Sequence, residues 1–148
     1  MLTQNRTDLT GHQIDNYDLE ELLFSRSVSD FYLGRDVKLD QPVFVELLRT
    51  TAEQDPDLAG QFQRRMEAVS QIKHPNIAPV MDIGVNPDGY PYAIIDHISG
   101  TWLDNRLKEW DTDGYMPPVE DALLLVRQVA SLTLPRLLQV VCQQRPKQ

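Results

Sequence analysis

The chain has 148 residues, 41% hydrophobic and 24% charged, a composition that suits one compact globular domain and argues against wholesale disorder. A formal net charge of −8 leaves no basic footprint for nucleic acid or for an anionic membrane, and points to a solvated acidic surface. The lone cysteine, Cys142, permits no intramolecular disulfide and suits a reducing, cytoplasmic setting.

The opening stretch, residues 1–15, is polar, lacks the apolar core of a secretory signal and is expected to fray. From Tyr17 the pattern becomes strand-like in three runs: YDLEELLF, DFYLGRDV and, after the turn-forming KLDQP, PVFVELL. EQDPDLAG opens a helix, whose apolar positions Leu58, Phe62, Met66, Val69 and Ile72 recur at helical spacing. HPN stops it, because a residue before proline avoids the helical region.

Two further strands, APVMDIGV and YPYAIIDHI, are joined by NPDG, a good hairpin turn. A short amphipathic helix follows from Trp102 to about Trp110, whose two tryptophans are expected to pack into a core. A longer helix begins at Pro118 and is expected to end or kink at Pro135. The longest apolar run, Ala122 to Val126, is far short of the roughly 20 residues that span a bilayer. His12, His74 and His97 lack ligand spacing, and Asp111, Asp113 and Gly114 lack the remaining ligands of a calcium loop, so no metal is expected. The element order gives an α+β fold with a mostly antiparallel sheet.

NYDLEELL through FYLGRDVKLDQPVFVELL, FQRRMEAVSQIKHPNIAPVMDIG and DGYPYAIIDHISGTWLDNRL together resemble the small lobe and hinge of a bacterial Ser/Thr protein kinase. The resemblance covers about Tyr17 to Ser131. It implies an N-terminal lobe of five mostly antiparallel strands plus one helix, followed by the hinge and the first helices of the large lobe. The implied layout is a polar extension (1–15), the small lobe and hinge (16–98), a partial large lobe of two helices (99–134) and a tail unlike the family (135–148).

The chemical parts of the family pattern are replaced. Active kinases cover the ATP phosphates with a glycine-rich loop, since backbone without side chains approaches phosphate closely. Aligned on Tyr17 and Tyr32, those glycine positions fall on Phe24, Arg26 and Ser29. The strand motif that ends in a phosphate-binding lysine here reads Val43-Phe44-Val45-Glu46. Alternation puts Phe44, Glu46 and Leu48 on one face, which by resemblance looks into the nucleotide cleft. Ile95, Asp96 and Ile98 are the corresponding positions at the hinge. Neither a His-Arg-Asp nor an Asp-Phe-Gly motif occurs in the chain.

A carboxylate amid the apolar residues of a strand needs a partner. Helical spacing places Arg65 in the same arc as Leu58, Phe62, Val69 and Ile72, with Glu67 turned to solvent. A charge on that face needs a counter-charge. Aligned on HPNI, Arg65 also takes the position of the family's pairing glutamate. Both lines lead to an inverted ion pair, Glu46 on the strand and Arg65 on the helix.

The resulting expectation is a catalytically inactive pseudokinase fragment that binds no cofactor and no ATP, and that acts through a protein partner or self-association. The alternatives are a Ser/Thr kinase contributing part of a site completed by another chain, and a nucleotide sensor without chemistry. The tail, basic at Arg136, Arg145 and Lys147, is read either as a partner-binding piece or as the product of truncation or a frameshift.

Overall fold

The structure, a computed structural model, describes residues 8–143, with side chains as far as residue 131. Residues 1–7 of the expected extension, 144–148 of the expected tail, and the side chain of Cys142 lie outside the described residues. The chain divides into two compact units, Met1–Lys73 with Ile77–Ile98, and His74–Asn76 with Ser99–Gln148.

The first unit is a six-stranded sheet carrying one helix. Its strands are β1 (Gln13–Ile14), β2 (Tyr17–Ser25), β3 (Ser29–Asp36), β4 (Gln41–Leu48), β5 (Val80–Val85) and β6 (Pro91–Asp96), with helix α1 (Pro56–Ser70) between β4 and β5. The sheet order is β1-β2-β3-β4-β6-β5, and every pairing is antiparallel. Two register shifts, at Leu19/Glu21 and Leu22/Phe24, interrupt the β2–β3 ladder. Such shifts add bend and twist to a strand.

The sheet has one strand more than expected, because the extension does not fray throughout. Asp15, in the left-handed region with φ 49°, and Asn16 form a two-residue turn that pairs Ile14 with Tyr17. Ile14 is buried and Leu9 packs against the same core, so apolar burial fixes a segment whose composition reads as polar.

Every residue of β4 from Val43 to Leu48 is buried, so both faces of this strand are covered. Val43, Val45 and Leu47 join Ile14, Leu19, Tyr32, Tyr92 and Ile94 in one cluster. On the other face Leu48 and Ala93 pack with Phe62 and Met66 of α1. Helix α1 begins where the sequence supplies a cap: Asp55 Oδ1 accepts from the Leu58 amide at 2.9 Å, with Pro56 in the first turn. It ends at Ser70, so Ile72, expected in the buried stripe, lies beyond it and is exposed.

The second unit holds α2 (Leu103–Asp113) and α3 (Val119–Gln143). Asn76 Nδ2 donates to the Gln128 carbonyl at 3.2 Å and to Ser131 Oγ at 3.0 Å. The tryptophans do not form a core: α2 buries none of its residues, Trp102 is exposed, and Trp110 meets Tyr115 at 5.9 Å between ring centroids. The physical reason is that a lone two-turn stripe packs only where a second apolar face meets it. Asp111 and Asp113 belong to α2, whose C-cap is Gly114 at φ 63°. Nor does Pro135 end α3, which runs on to Gln143. Proline forfeits one backbone hydrogen bond, and the flanking Leu134, Arg136, Leu137 and Leu138 are good helix formers that carry the backbone past it. Among the described residues, no helix is long and apolar enough to cross a membrane.

Two phenols meet carboxylates on the side of the sheet away from α1. Tyr17 Oη donates to Asp82 Oδ2 at 3.2 Å and Tyr92 Oη to Asp15 Oδ2 at 2.6 Å. Burial first, and then Asp82, push the Tyr17 phenol up to about 12; burial and the Asp15 hydrogen bond push Tyr92 higher still. Folded-state values above the unfolded one, near 10, mean that this stability is complete below about pH 10 and fades as pH rises through the folded values. Unfolding in urea across alkaline pH should show stability falling above about pH 10. Tyr17→Phe with Tyr92→Phe should flatten that fall.

Candidate functional site

The site is built on the α1-facing side of β4. There, strand alternation aligns Phe44, Glu46 and Leu48, while register sets Phe31 of β3 opposite Glu46 and Ile95 of β6 opposite Phe44. The Glu46 side chain is 3% exposed. Its Oε1 accepts from Ser29 Oγ at 2.9 Å and from Arg65 Nη2 at 3.0 Å, and Arg26 Nη1 lies 3.9 Å away. Arg65 and Arg26 are 53% and 57% exposed, so a buried anion is met by cations standing at its rim.

Sequence periodicity set Arg65 on the buried face, and the structure corrects this by half. Its guanidinium carbon sits 5.4 Å from the Phe62 ring centroid, so the side chain follows the apolar face. The charged end nevertheless reaches water, as long basic side chains do. Glu67 is exposed and accepts from Gln63 Nε2 at 2.8 Å.

Aromatic rings fill the rest of this face. Phe24 stacks on Phe31 at 4.8 Å and 11°, Phe31 meets Phe44 at 5.8 Å, and Phe44 meets His97 at 4.9 Å. The Arg26 guanidinium lies 5.6 Å from the Phe24 centroid and 6.0 Å from that of Phe31, within cation–π range. Phe24, Arg26, Ser29, Phe44, Glu46 and Arg65 are thus brought together. Ile95 is half-buried in register with Phe44, whereas Asp96 and Ile98 are exposed where β6 ends.

Four contributors escaped the sequence reading: Phe31, His97, Asp30 and Arg49. Alternation within DFYLGRD carried a signal for Phe31. None existed for Arg49, which follows β4 and holds the β2–β3 loop. Its amide donates to the Val28 carbonyl at 3.0 Å, its Nη2 donates to the Arg26 carbonyl, and its Nε lies 3.8 Å from buried Asp30 Oδ1. At that separation the Asp30 contact is an ion pair without a hydrogen bond.

Chemically, the arrangement presents a fixed carboxylate and packed rings. The carboxylate accepts from Ser29 and Arg65, and the charges exposed at its rim are the two guanidinium groups. Among the described residues, no group of three His, Cys, Asp or Glu side chains is placed to hold a metal ion.

No protein-family model matches the chain. It is 31% identical over 110 residues to serine/threonine-protein kinase PknB of Mycobacterium leprae, covering 72% of this chain and 17% of that protein. It is 30% identical over 125 residues to serine/threonine-protein kinase PrkC of Bacillus subtilis, covering 83% and 18%. The fold matches the crystallised kinase domain of Mycobacterium tuberculosis PknI with a TM-score of 0.66 and 23% identity, over 85% of this chain and 49% of that one. The chain is a relative of the bacterial Ser/Thr protein kinases. It spans under a fifth of the length of the curated relatives it matches, and about half of the solved kinase domain.

Within this kinase-like lobe, the Glu46–Arg65 contact is testable by exchange. Glu46→Lys introduces a buried cation beside two guanidinium groups and is expected to cost on the order of 3–5 kcal/mol. Arg65→Ala, which removes a half-exposed charge, should cost about 1 kcal/mol or less beyond its packing. Glu46→Lys combined with Arg65→Glu should recover part of the loss, since Arg26 would still face a cation. Urea unfolding of the wild type, Glu46→Lys, Arg65→Glu and the double variant measures the coupling, and additivity within about 0.5 kcal/mol would show that the two side chains do not interact.

Proposed function

We propose that this kinase-like chain is catalytically inactive and works by protein contact rather than by phosphoryl transfer. The observation that carries the reading is Glu46, a buried carboxylate at the strand position where the family's lysine meets the nucleotide phosphates. A carboxylate there, already paired with Arg65 at 3.0 Å, offers a phosphate no charge-assisted hydrogen bond in place of that lysine. The Phe24–Phe31–Phe44–His97 column supports it by occupying the face on which the family seats adenine. Side chains at Phe24, Arg26 and Ser29 take the space left open by the glycines of an active loop. These residues do not fit a magnesium nucleotide.

The test is direct. The purified protein should transfer no labelled γ-phosphate to itself or to a generic acceptor protein above a no-enzyme control. Magnesium ATP should leave its melting temperature unchanged. Transfer above control would overturn the inactive reading, and an ATP-induced rise alone would favour a nucleotide sensor.

Protein contact, self-association included, is supported by the exposed Val119, Leu123, Leu124, Val126 and Val129 of α3 and by Leu103 and Leu107 of α2. Exposed apolar side chains repeated along a helix commonly mark interaction surfaces. Sedimentation velocity at micromolar concentrations should give a weight-average mass above that of a monomer. The lone cysteine and the acidic surface are in keeping with a cytoplasmic location.

A further inference from the structure

The first unit contains a cavity of about 330 Å³ that includes neither Glu46 nor Arg65. Ala52, Pro56, Ala59, Phe62, Ile83 and Val85 give it apolar walls, and Gln63 supplies a polar edge. Its size falls at the lower end of the about 300–1,000 Å³ typical of ligand pockets.

Two further features fix what would fill it. The first is a strand edge. β5 terminates the sheet and pairs with β6 alone, and it exposes Met81 and Val85, the latter also a cavity wall. An open edge flanking an apolar pocket takes an extended peptide, whose backbone pairs with the strand while one side chain enters the pocket. The second is charge. Glu53 follows the wall residue Ala52 and Asp57 follows Pro56, both exposed. Exposed Asp88 precedes Gly89, whose carbonyl accepts from the Ala52 amide at 2.8 Å. Arg64, beside Gly60, is a single opposing cation. The sequence neighbours of the pocket wall thus carry three exposed carboxylates against the Arg64 guanidinium, an acidic balance.

We propose that this pocket docks an extended segment of a partner protein. One bulky apolar side chain fills the cavity, and flanking lysines or arginines meet Glu53, Asp57 and Asp88. The proposal deepens and rests on the reading of the chain as a protein-contact module, and it specifies the partner's chemistry. The same acidic balance disfavours an anionic lipid surface.

The test uses the full chain and three fluorescently labelled peptides: Lys-Lys-Phe-Lys-Lys, Lys-Lys-Ala-Lys-Lys and Glu-Glu-Phe-Glu-Glu. Fluorescence anisotropy should show saturable binding of the first, with the alanine peptide weaker by about tenfold or more because the cavity stays unfilled. The acidic peptide should be weaker too, and added salt should narrow that gap. Gly60→Leu is the pocket-filling variant. A Cβ at Gly60 would meet only the flexible end of Arg64, at 3.3 Å, and leucine is the better helix former, so the variant should fold. It should abolish the preference for phenylalanine over alanine. Glu53→Lys with Asp57→Lys, both on the surface, should weaken the basic peptides and strengthen the acidic one. Equal affinity for the phenylalanine and alanine peptides, or an unchanged preference in a folded Gly60→Leu protein, would overturn the proposal. ATP titration of the same protein decides the inert-cleft reading on its own, so the two failures are distinguishable.

Discussion

A carboxylate buried in the middle of a central strand has to be supplied with donors, and this requirement organises the first unit. β4 has neighbours on both edges and packing on both faces, so Glu46 has no access to bulk water from the strand itself. Its partners come from three directions: Ser29 of β3 and Arg65 of α1 donate hydrogen bonds, and Arg26 of the loop between β2 and β3 stands as an ion-pair partner at 3.9 Å. Sheet, helix and loop are thereby tied to one oxygen atom. The net stabilisation from such a cluster is modest, because desolvation offsets much of the attraction. A helix turned so that Arg65 pointed elsewhere would leave the carboxylate with Ser29 and the more distant Arg26, which disfavours that arrangement by about 1 kcal/mol or less.

The aromatic column and the carboxylate act on the same face by different means. Rings at van der Waals contact remove volume, which discriminates by size. The buried carboxylate instead fixes the positions of the Ser29 and Arg65 donors around it. Arg26 joins the two, since it lies over Phe24 and Phe31 while leaning toward Glu46. The likeness to the PknB and PrkC kinases extends over 72% and 83% of this chain.

Strand alternation in PVFVELL and helical spacing from Leu58 to Met66 were legible in the sequence because each is a local periodicity imposed by burial. They were enough to juxtapose Glu46 and Arg65 and to outline the kinase-like sheet. How far Arg65 reaches out was not legible, since spacing gives the direction of a Cα–Cβ bond and not where a flexible stem ends. Strand β1 was hidden because two residues carry no period, and the burial of Ile14 depends on residues distant in sequence. The Phe31 and His97 contacts arise from cross-strand register and from the chain's path after β6, which one-dimensional patterns do not encode. Trp102 and Trp110 misled because propensity describes an element in isolation, and their environment decided otherwise.

The Arg49 staple alters the entropy of the β2–β3 loop. The loop is closed at its base by the Arg26 amide donating to the Ser29 carbonyl at 2.8 Å, and Arg49 grips the Val28 and Arg26 carbonyls from the next strand. A loop of this kind in a phosphate-binding protein is free until its ligand orders it. Here the ordering accompanies folding, so the conformational freedom of the segment is already lost before any encounter. Whatever touches the exposed Val28 and Arg26 side chains meets a preorganised surface, and the association carries little of the usual ordering penalty.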